Sequence, residues 1–140
     1  MDGLSGAASV IAVIDIAAKI TSICYHYAVA VKNAKDDIES VQNKVTDITN
    51  VLEKLKQLLD GPGKARFPAT HEVFDSLNQC LRDLQKLQAD LEPKKARKAM
   101  SRLGFRALKW PFSKKQVENI LSKLERYEQT FTLALQVDQM

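Results

Sequence analysis

The chain has 140 residues, of which 45% are apolar and 27% charged, with a net charge of +4 at pH 7. This length suits one ordinary domain, which we expect to span 1–140, and the composition excludes a disordered chain. Only four prolines and five glycines interrupt it, so we predict an all-α fold. The expected architecture is a mainly antiparallel helical bundle of four long helices and one shorter helix.

The first segment, residues 4–34, is apolar and almost free of charge. Between Leu4 and Val31 the only full charges are Asp15 and Lys19, which stand four residues apart in the order that lets them pair on one helix face. Asp2 occupies a position where a secretory signal would carry a base, and no small-residue cleavage site precedes Asp15. We therefore expect no secretory signal and a chain that is cytoplasmic at rest.

The second and third segments, residues 35–60 and 70–91, carry apolar residues at alternating spacings of three and four. This spacing predicts two long amphipathic helices. The repeats are Ile38, Val41, Val45, Ile48, Leu52, Leu55 and Leu59, and then Val73, Leu77, Cys80, Leu84, Leu87 and Leu91. Intermolecular coiled coils have the same spacing, but each repeat here stops after three or four heptads, which favours packing within one chain.

The fourth and fifth segments meet at Pro111. We predict a shorter helix over 94–110 that Pro111 stops, and a long helix after it. Ser113 and Gln116 have the spacing of a capping box, and Phe112 is placed to pack against Val117.

The fourth segment is strongly basic. Residues 94–115 contain nine bases and no acid, so a net charge of +4 leaves −5 for the rest of the chain. Projected as a helix, five bases fall on one arc, with an aromatic residue beside them. These six residues, which we assign to anionic-lipid binding, are Lys95, Lys98, Arg102, Phe105, Arg106 and Lys109.

Three interpretations of this basic stripe stay open. It can be a solvated face that balances acids on neighbouring helices. It can bind an anionic membrane surface, to which each base contributes about 1 kcal/mol. Nucleic acid is the weakest interpretation, because the rest of the chain is acidic, aromatic residues are few and no reading motif appears. We therefore expect no nucleic-acid partner.

Catalytic motifs are absent from the sequence. It contains neither a phosphate-binding glycine loop nor a nucleophile elbow, and its two histidines are isolated. Cys24 and Cys80 fit no ligand spacing and are predicted to be reduced thiols in the core. We expect no enzyme activity and no catalytic, cofactor or metal site.

The first segment is long enough to cross a membrane. As a helix, 28 residues reach about 42 Å, against about 30 Å for the hydrocarbon core. Ten Leu, Ile and Val residues favour insertion, but Asp15 and Lys19 each cost about 2.5–3.5 kcal/mol near the centre, so a monomer is not expected to insert. The residues assigned to membrane insertion are Leu4, Val10, Ile11, Val13, Ile14, Asp15, Ile16, Lys19 and Ile20.

Two interpretations of this segment follow. In the first, it is a helix buried at the centre of the bundle, with Asp15 and Lys19 paired. In the second, it inserts when several copies assemble, because Asp15 and Lys19 can then face one another or a water-filled lumen.

Five stretches of the sequence resemble the N-terminal regions of fungal NLR-like (STAND) proteins. They are residues 1–15, 27–38, 96–112, 124–127 and 133–138. The sequence resembles the HeLo-like domain over essentially its whole length, and residues 96–112 are the most specific part.

The resemblance implies a cell-death execution module of the innate-immunity and heterokaryon-incompatibility type. It is similar to the HeLo domain of fungal prion-controlled killers and, more distantly, to the helical bundles of animal necroptosis and plant resistance proteins. In such proteins, assembly releases the apolar N-terminal helix, which permeabilises the membrane. The resemblance implies a monomer or dimer at rest, a homo-oligomer at the plasma membrane when activated, and an excised N-terminal domain of a longer protein. The alternative is a non-enzymatic adaptor for protein–protein interaction or oligomerisation without direct membrane activity.

Overall fold

The computed structural model of the chain describes residues 2–60, 71–92 and 109–139. These ranges contain four helices, α1 (Asp2–Ala30), α2 (Lys35–Asp60), α3 (His71–Leu91) and α4 (Lys114–Gln139), and no strand. The all-α prediction is confirmed. Residues 94–108 of the predicted basic helix lie outside the described ranges.

The predicted first segment ends earlier than expected, at Ala30 and not at residue 34. The Val31 N–H still donates to the Tyr27 carbonyl oxygen at 2.7 Å, and a turn that includes Asn33 follows. Asparagine is favoured in turns because its side chain bonds to nearby backbone groups. Helix α2 then begins at Lys35. Asp36 and Asp37 in its first turn stabilise the helix because their negative charges interact favourably with the positive end of the helix dipole.

The start of α4 confirms the predicted capping box. The Ser113 N–H donates to Gln116 Oε1 at 2.8 Å, and the Gln116 N–H donates to Ser113 Oγ at 3.2 Å. These two bonds satisfy backbone donors that the first turn of a helix leaves without partners. They place the N-terminus of α4 immediately after Pro111 and Phe112.

The four helices form a ring in the order α1, α2, α4, α3. The main packing pairs are α1 with α2 and α3, and α4 with α2 and α3. Ser9 lies near Asn78, and Tyr27 bonds to Leu91, so α1 and α3 run in the same direction. Trp110, just before α4, packs on Tyr27, so α4 begins at the end of the bundle where α2 begins. Successive helices are therefore antiparallel, as predicted, but the pairs α1–α3 and α2–α4 pack in parallel.

The core follows the apolar repeats of α2, α3 and α4. Every predicted repeat position whose side chain is described is buried on α2 and α3. On α4 the repeat is buried at Val117, Leu124, Phe131, Ala134 and Leu135, with Ile120 and Tyr127 half-buried. Apart from Tyr27, whose hydroxyl makes a buried hydrogen bond, the buried residues of the described part of the chain carry no polar side chain except the two cysteines, so this core is held mainly by apolar packing.

Candidate functional site

Helix α1 has the composition of a membrane-spanning helix. Residues Ala8–Ala30 meet the length and hydropathy criteria for a span, and seven of these 23 residues are buried inside the bundle. Core helices of soluble proteins have a similar composition. What distinguishes α1 is that its apolar residues lie on two faces, of which the bundle covers only one.

The inner face of α1 packs into the core. Val10, Val13, Ile16 and Ile20 from the predicted membrane-insertion set are buried there. Ile14 is half-buried against the same cluster. In the resting bundle these side chains serve the core, and each stabilises the fold by about 1.5–3 kcal/mol through burial.

The other described members of that set lie on the outside. Ile11 is 43% exposed, and Asp15 and Lys19 are both exposed. The expected pairing of Asp15 with Lys19 is wrong, because no ion pair joins these two described residues. A surface pair of this kind contributes only about 0.2–0.5 kcal/mol, which does not oblige two flexible side chains to stay together. The side chain of Leu4 lies outside the described residues.

The outward-facing residues of α1 form a second regular stripe, which we call the outer seam. Sequence reasoning missed this stripe, although its spacing of three and four residues is visible in the sequence. Tyr25 is 60% exposed and Val29 is 62% exposed. The outer seam consists of Ala8, Ile11, Asp15, Ala18, Ser22, Tyr25 and Val29, all exposed.

The C-terminal end of α1 is fastened to α3 by a buried tyrosine, a contact that we call the Tyr27 clasp. The Tyr27 hydroxyl donates to the carbonyl oxygen of Leu91, the last residue of α3, at 2.7 Å. Trp110 packs edge-on against Tyr27 with ring centroids 5.3 Å apart, and Phe112 packs edge-on against Trp110 at 5.2 Å. The Trp110 indole N–H is buried and has no hydrogen-bond partner among the described residues, so its described contacts are packing contacts.

Of the six residues assigned to the basic stripe, only Lys109 lies within the described part of the chain. Lys109 is exposed, and neither Lys109 nor Trp110 is helical. The prediction that the basic helix extends to residue 110 is therefore wrong. The reason is Pro111, which disfavours helical geometry in the residue before it. The other assigned residues, Lys95, Lys98, Arg102, Phe105 and Arg106, lie outside the described ranges.

The groove between α3 and α4 contains a hydrogen bond between a tyrosine and a carboxylate. The Tyr127 hydroxyl donates to Asp83 Oδ2, and burial raises the pKa of Tyr127 above its usual value, with the Asp83 hydrogen bond adding to the shift. A cavity of about 180 Å³ beside this bond is lined by Lys86, Asp90 and Lys123 among others. The raised pKa keeps the phenol protonated near neutral pH, so Tyr127 serves as a hydrogen-bond donor and not as a nucleophile.

The cysteines are placed where the sequence predicted them. Cys24 and Cys80 are free and fully buried, and burial raises the pKa of each thiol to about 12. Since the thiolate is the reactive form, neither thiol is a nucleophile near neutral pH. Among the described residues, no three His, Cys, Asp or Glu side chains come together in a way that would hold a metal ion.

The fold and the site together define a class of protein, an all-α bundle with an apolar N-terminal helix. The family model described as pigment biosynthesis cluster protein PigL N-terminal matches residues 1–140. The chain therefore belongs to this family of fungal N-terminal domains, a membership consistent with a HeLo-like domain. No curated protein and no solved structure gives a significant match.

Proposed function

We propose that this chain is the N-terminal cell-death execution domain of a fungal NLR-like protein, and that it permeabilises membranes through α1 after oligomerising. The observation that carries the proposal is the mismatch between composition and burial in α1. Its 23-residue stretch Ala8–Ala30 is apolar enough to cross a membrane, yet the large apolar side chains of Ile11, Tyr25 and Val29 in it are exposed. The fungal family membership supports the assignment.

The position of α1 in the ring suits a helix that is stored and later released. It packs mainly against α2 and α3 and lies diagonally across from α4. Its departure would remove one corner of the bundle and break the Tyr27 clasp. Exposing buried side chains such as Val13 and Ile20 to water costs about 1.5–3 kcal/mol each, so α1 leaves only when lipid or other copies cover its inner face.

Asp15 and Lys19 make insertion depend on assembly. Each costs about 2.5–3.5 kcal/mol near the centre of a membrane when it is alone. Both are exposed and not paired with each other in the bundle, so both are available to pair between copies. A homo-oligomer in which they face one another or a water-filled lumen lowers this cost.

Anionic lipids are the proposed partner at the membrane surface. The sequence predicts a basic stripe of Lys95, Lys98, Arg102, Phe105, Arg106 and Lys109, of which the described Lys109 is exposed. In this proposal the domain is cytoplasmic at rest and moves to the plasma membrane on activation. It acts without catalysis, cofactor, metal or nucleic acid.

Leakage of dye from anionic vesicles tests the membrane step. The chain is fused to an inducible clustering module, and release is measured before and after clustering. Removing residues 1–20 should abolish release. Ala18→Arg should lower release by about tenfold or more, because it adds a charge to the span at about 2.5–3.5 kcal/mol while changing an exposed position. Gln79→Arg, at an exposed position of α3, is the matched control and should leave release unchanged. Full leakage by the truncated chain would show that α1 is not the active element.

Lipid binding is tested separately by vesicle flotation. Charge reversal at Lys98, Arg102 and Arg106 should weaken binding to anionic vesicles, with the difference shrinking as salt rises. If binding does not change, the basic stripe is a solvated face.

The second candidate function is an adaptor that recruits a protein and does not touch lipid. The exposed side chains of Ile11, Tyr25 and Val29 favour it as well, because exposed apolar residues on one face mark protein interfaces. Flotation distinguishes the two functions. An adaptor would stay with the soluble fraction at every lipid composition and would form a stable complex with a specific partner.

A further inference from the structure

The exposed apolar surface of the described chain is concentrated on the outer seam of α1. Four large apolar side chains of the described residues are exposed, namely Ile11, Tyr25, Val29 and Leu133. Three of the four lie on the outer seam. Scattered exposed apolar residues need no explanation, but a row along one helix face indicates a surface that another molecule covers.

The outer seam has the form of a helix–helix interface. Its residues recur at alternating spacings of three and four, as in two helices that pack along their length. Ala18 and Ser22 near its middle let a second helix approach closely. Ile11 lies seven residues before Ala18 and Tyr25 lies seven residues after it, so the two larger side chains are placed symmetrically about a small centre.

The charges on this face decide which occupant fits and in which direction. Asp15 and Lys19 flank Ala18, are exposed and form no ion pair with each other. In a parallel pair of α1 helices, Asp15 would face Asp15 of the other copy, and like charges repel. In an antiparallel pair with its twofold axis beside Ala18, each Asp15 lies within a turn of Lys19 on the other copy. The seam therefore complements itself only in the antiparallel direction.

We propose that the outer seam of α1 is the interface of a resting homodimer in which two copies pack antiparallel through this face. Ile11 of each copy then meets Tyr25 of the other, and Ala18 lies at the twofold axis. The dimer covers the apolar face that the bundle leaves exposed. This inference goes beyond the proposed membrane activity and stands without it.

Cysteine cross-linking in the absence of lipid tests the direction of packing. The wild-type chain provides a clean background, because Cys24 and Cys80 are buried and burial raises the pKa of both thiols to about 12. Ala18→Cys should give a disulfide-linked dimer under mild oxidation, since residues at the twofold axis come within disulfide range. Ile11→Cys should not cross-link alone but should cross-link when mixed with Tyr25→Cys. Gln79→Cys, exposed on α3, is the matched control and should remain monomeric on a non-reducing gel.

Sedimentation supplies the second measurement. The wild-type chain should sediment as a dimer, and Ala18→Arg, at an exposed position, should sediment as a monomer with an unchanged circular dichroism spectrum. Efficient cross-linking of Ile11→Cys with itself would overturn the antiparallel arrangement. A wild-type monomer, or a dimer in which Ala18→Cys does not cross-link, would overturn the interface. Because neither assay contains lipid, such a failure leaves the leakage test intact, and a failed leakage test leaves the dimer intact.

Discussion

Helices α1 and α3 lie side by side and run in the same direction, yet their outer faces differ in kind. Apart from Ala89, the exposed positions of α3 are polar or charged, as at Asp75, Gln79 and Lys86. The exposed positions of α1 include Ile11, Tyr25 and Val29. Both helices bury one apolar face in the same core. Helix α3 has only this apolar face, whereas α1 has a second set of apolar residues that is exposed.

The difference shows which part of the sequence serves the fold. A helix at the corner of a bundle needs one apolar stripe toward the core and a polar face toward water, and α3 matches this description. The second stripe of α1 is exposed and contributes no buried residue to the core, although Ile11 and Asp15 border a pocket with Glu53 and Lys56 of α2. Because the outer seam of α1 does not contribute to folding, we infer that its apolar residues serve function.

The two faces of α1 should respond differently when one side chain on each is shortened. Ile20→Ala, fully buried in the wild type, should lower the free energy of unfolding by about 2–5 kcal/mol through lost burial and the resulting cavity. Ile11→Ala removes the same atoms from a side chain that is 43% exposed and should cost less than about 1 kcal/mol. Urea unfolding followed by circular dichroism measures both, at a dilution that keeps the chain monomeric. Equal losses in the monomer would mean that the bundle itself buries the outer face.

The Tyr27 clasp should give a similar contrast at the C-terminal end of α1. Tyr27→Phe removes the buried bond to the Leu91 carbonyl and leaves that oxygen without this partner, which should cost about 1–3 kcal/mol. The matched control is Tyr25→Phe, which removes the same atom two residues away from a side chain that is 60% exposed and should change stability by no more than about 0.5 kcal/mol.

Leakage adds a functional measurement to this pair. If the clasp retains α1 in the bundle, Tyr27→Phe should release dye at a lower degree of clustering than the wild type, and Tyr25→Phe should not. A Tyr27→Phe variant that is less stable but needs the same clustering would show that the clasp serves the fold alone.

The sequence predicted α2 and α3 well because each has a single apolar stripe. Leu52 and Leu84 could only point inward, since every other face of their helices is polar. In α1 the apolar residues surround the helix, so periodicity cannot decide that Val13 is buried and Ile11 is exposed. Which face of α1 is buried depends on how α1 packs against α2 and α3, and this packing cannot be read from the sequence.

Two other features could not be predicted from the sequence because they depend on packing between distant residues. Trp110 was assigned to the basic helix, but Pro111 keeps it out of a helix and it packs against Tyr27, far away in the sequence. The order of the helices in the ring could not be predicted either, because the spacing of apolar residues within each helix is the same whichever helices are neighbours. Local chemistry was predictable by contrast, as the capping box at Ser113 and Gln116 shows.

On the α2–α4 side of the ring, partly exposed charges do pair, and their effect on stability should be small. Lys44 forms ion pairs with Glu125 and Glu128, and these carboxylates raise the pKa of Lys44, with the Glu125 hydrogen bond as the largest cause. The same Lys44 hydrogen bond lowers the pKa of Glu125. A raised lysine pKa stabilises the fold below the usual value of 10.5, and this contribution is lost as the pH rises through the raised pKa. A lowered glutamate pKa stabilises it above the usual value of 4.5, and this contribution is lost as the pH falls through the lowered pKa.

The ion pairs should therefore stabilise the fold from about pH 5 to 10 and weaken beyond both limits. Lys44→Met should lower the urea midpoint slightly inside this range, and added salt should reduce the difference from the wild type because these charges are partly exposed. Lys54→Met is the matched control, since Lys54 is exposed on the same helix and has no ion pair among the described residues. A Lys44→Met deficit that persists at acid pH and in high salt would mean that Lys44 acts through the packing of its aliphatic stem. Its charge would then matter as little to the bundle as those of Asp15 and Lys19 on α1.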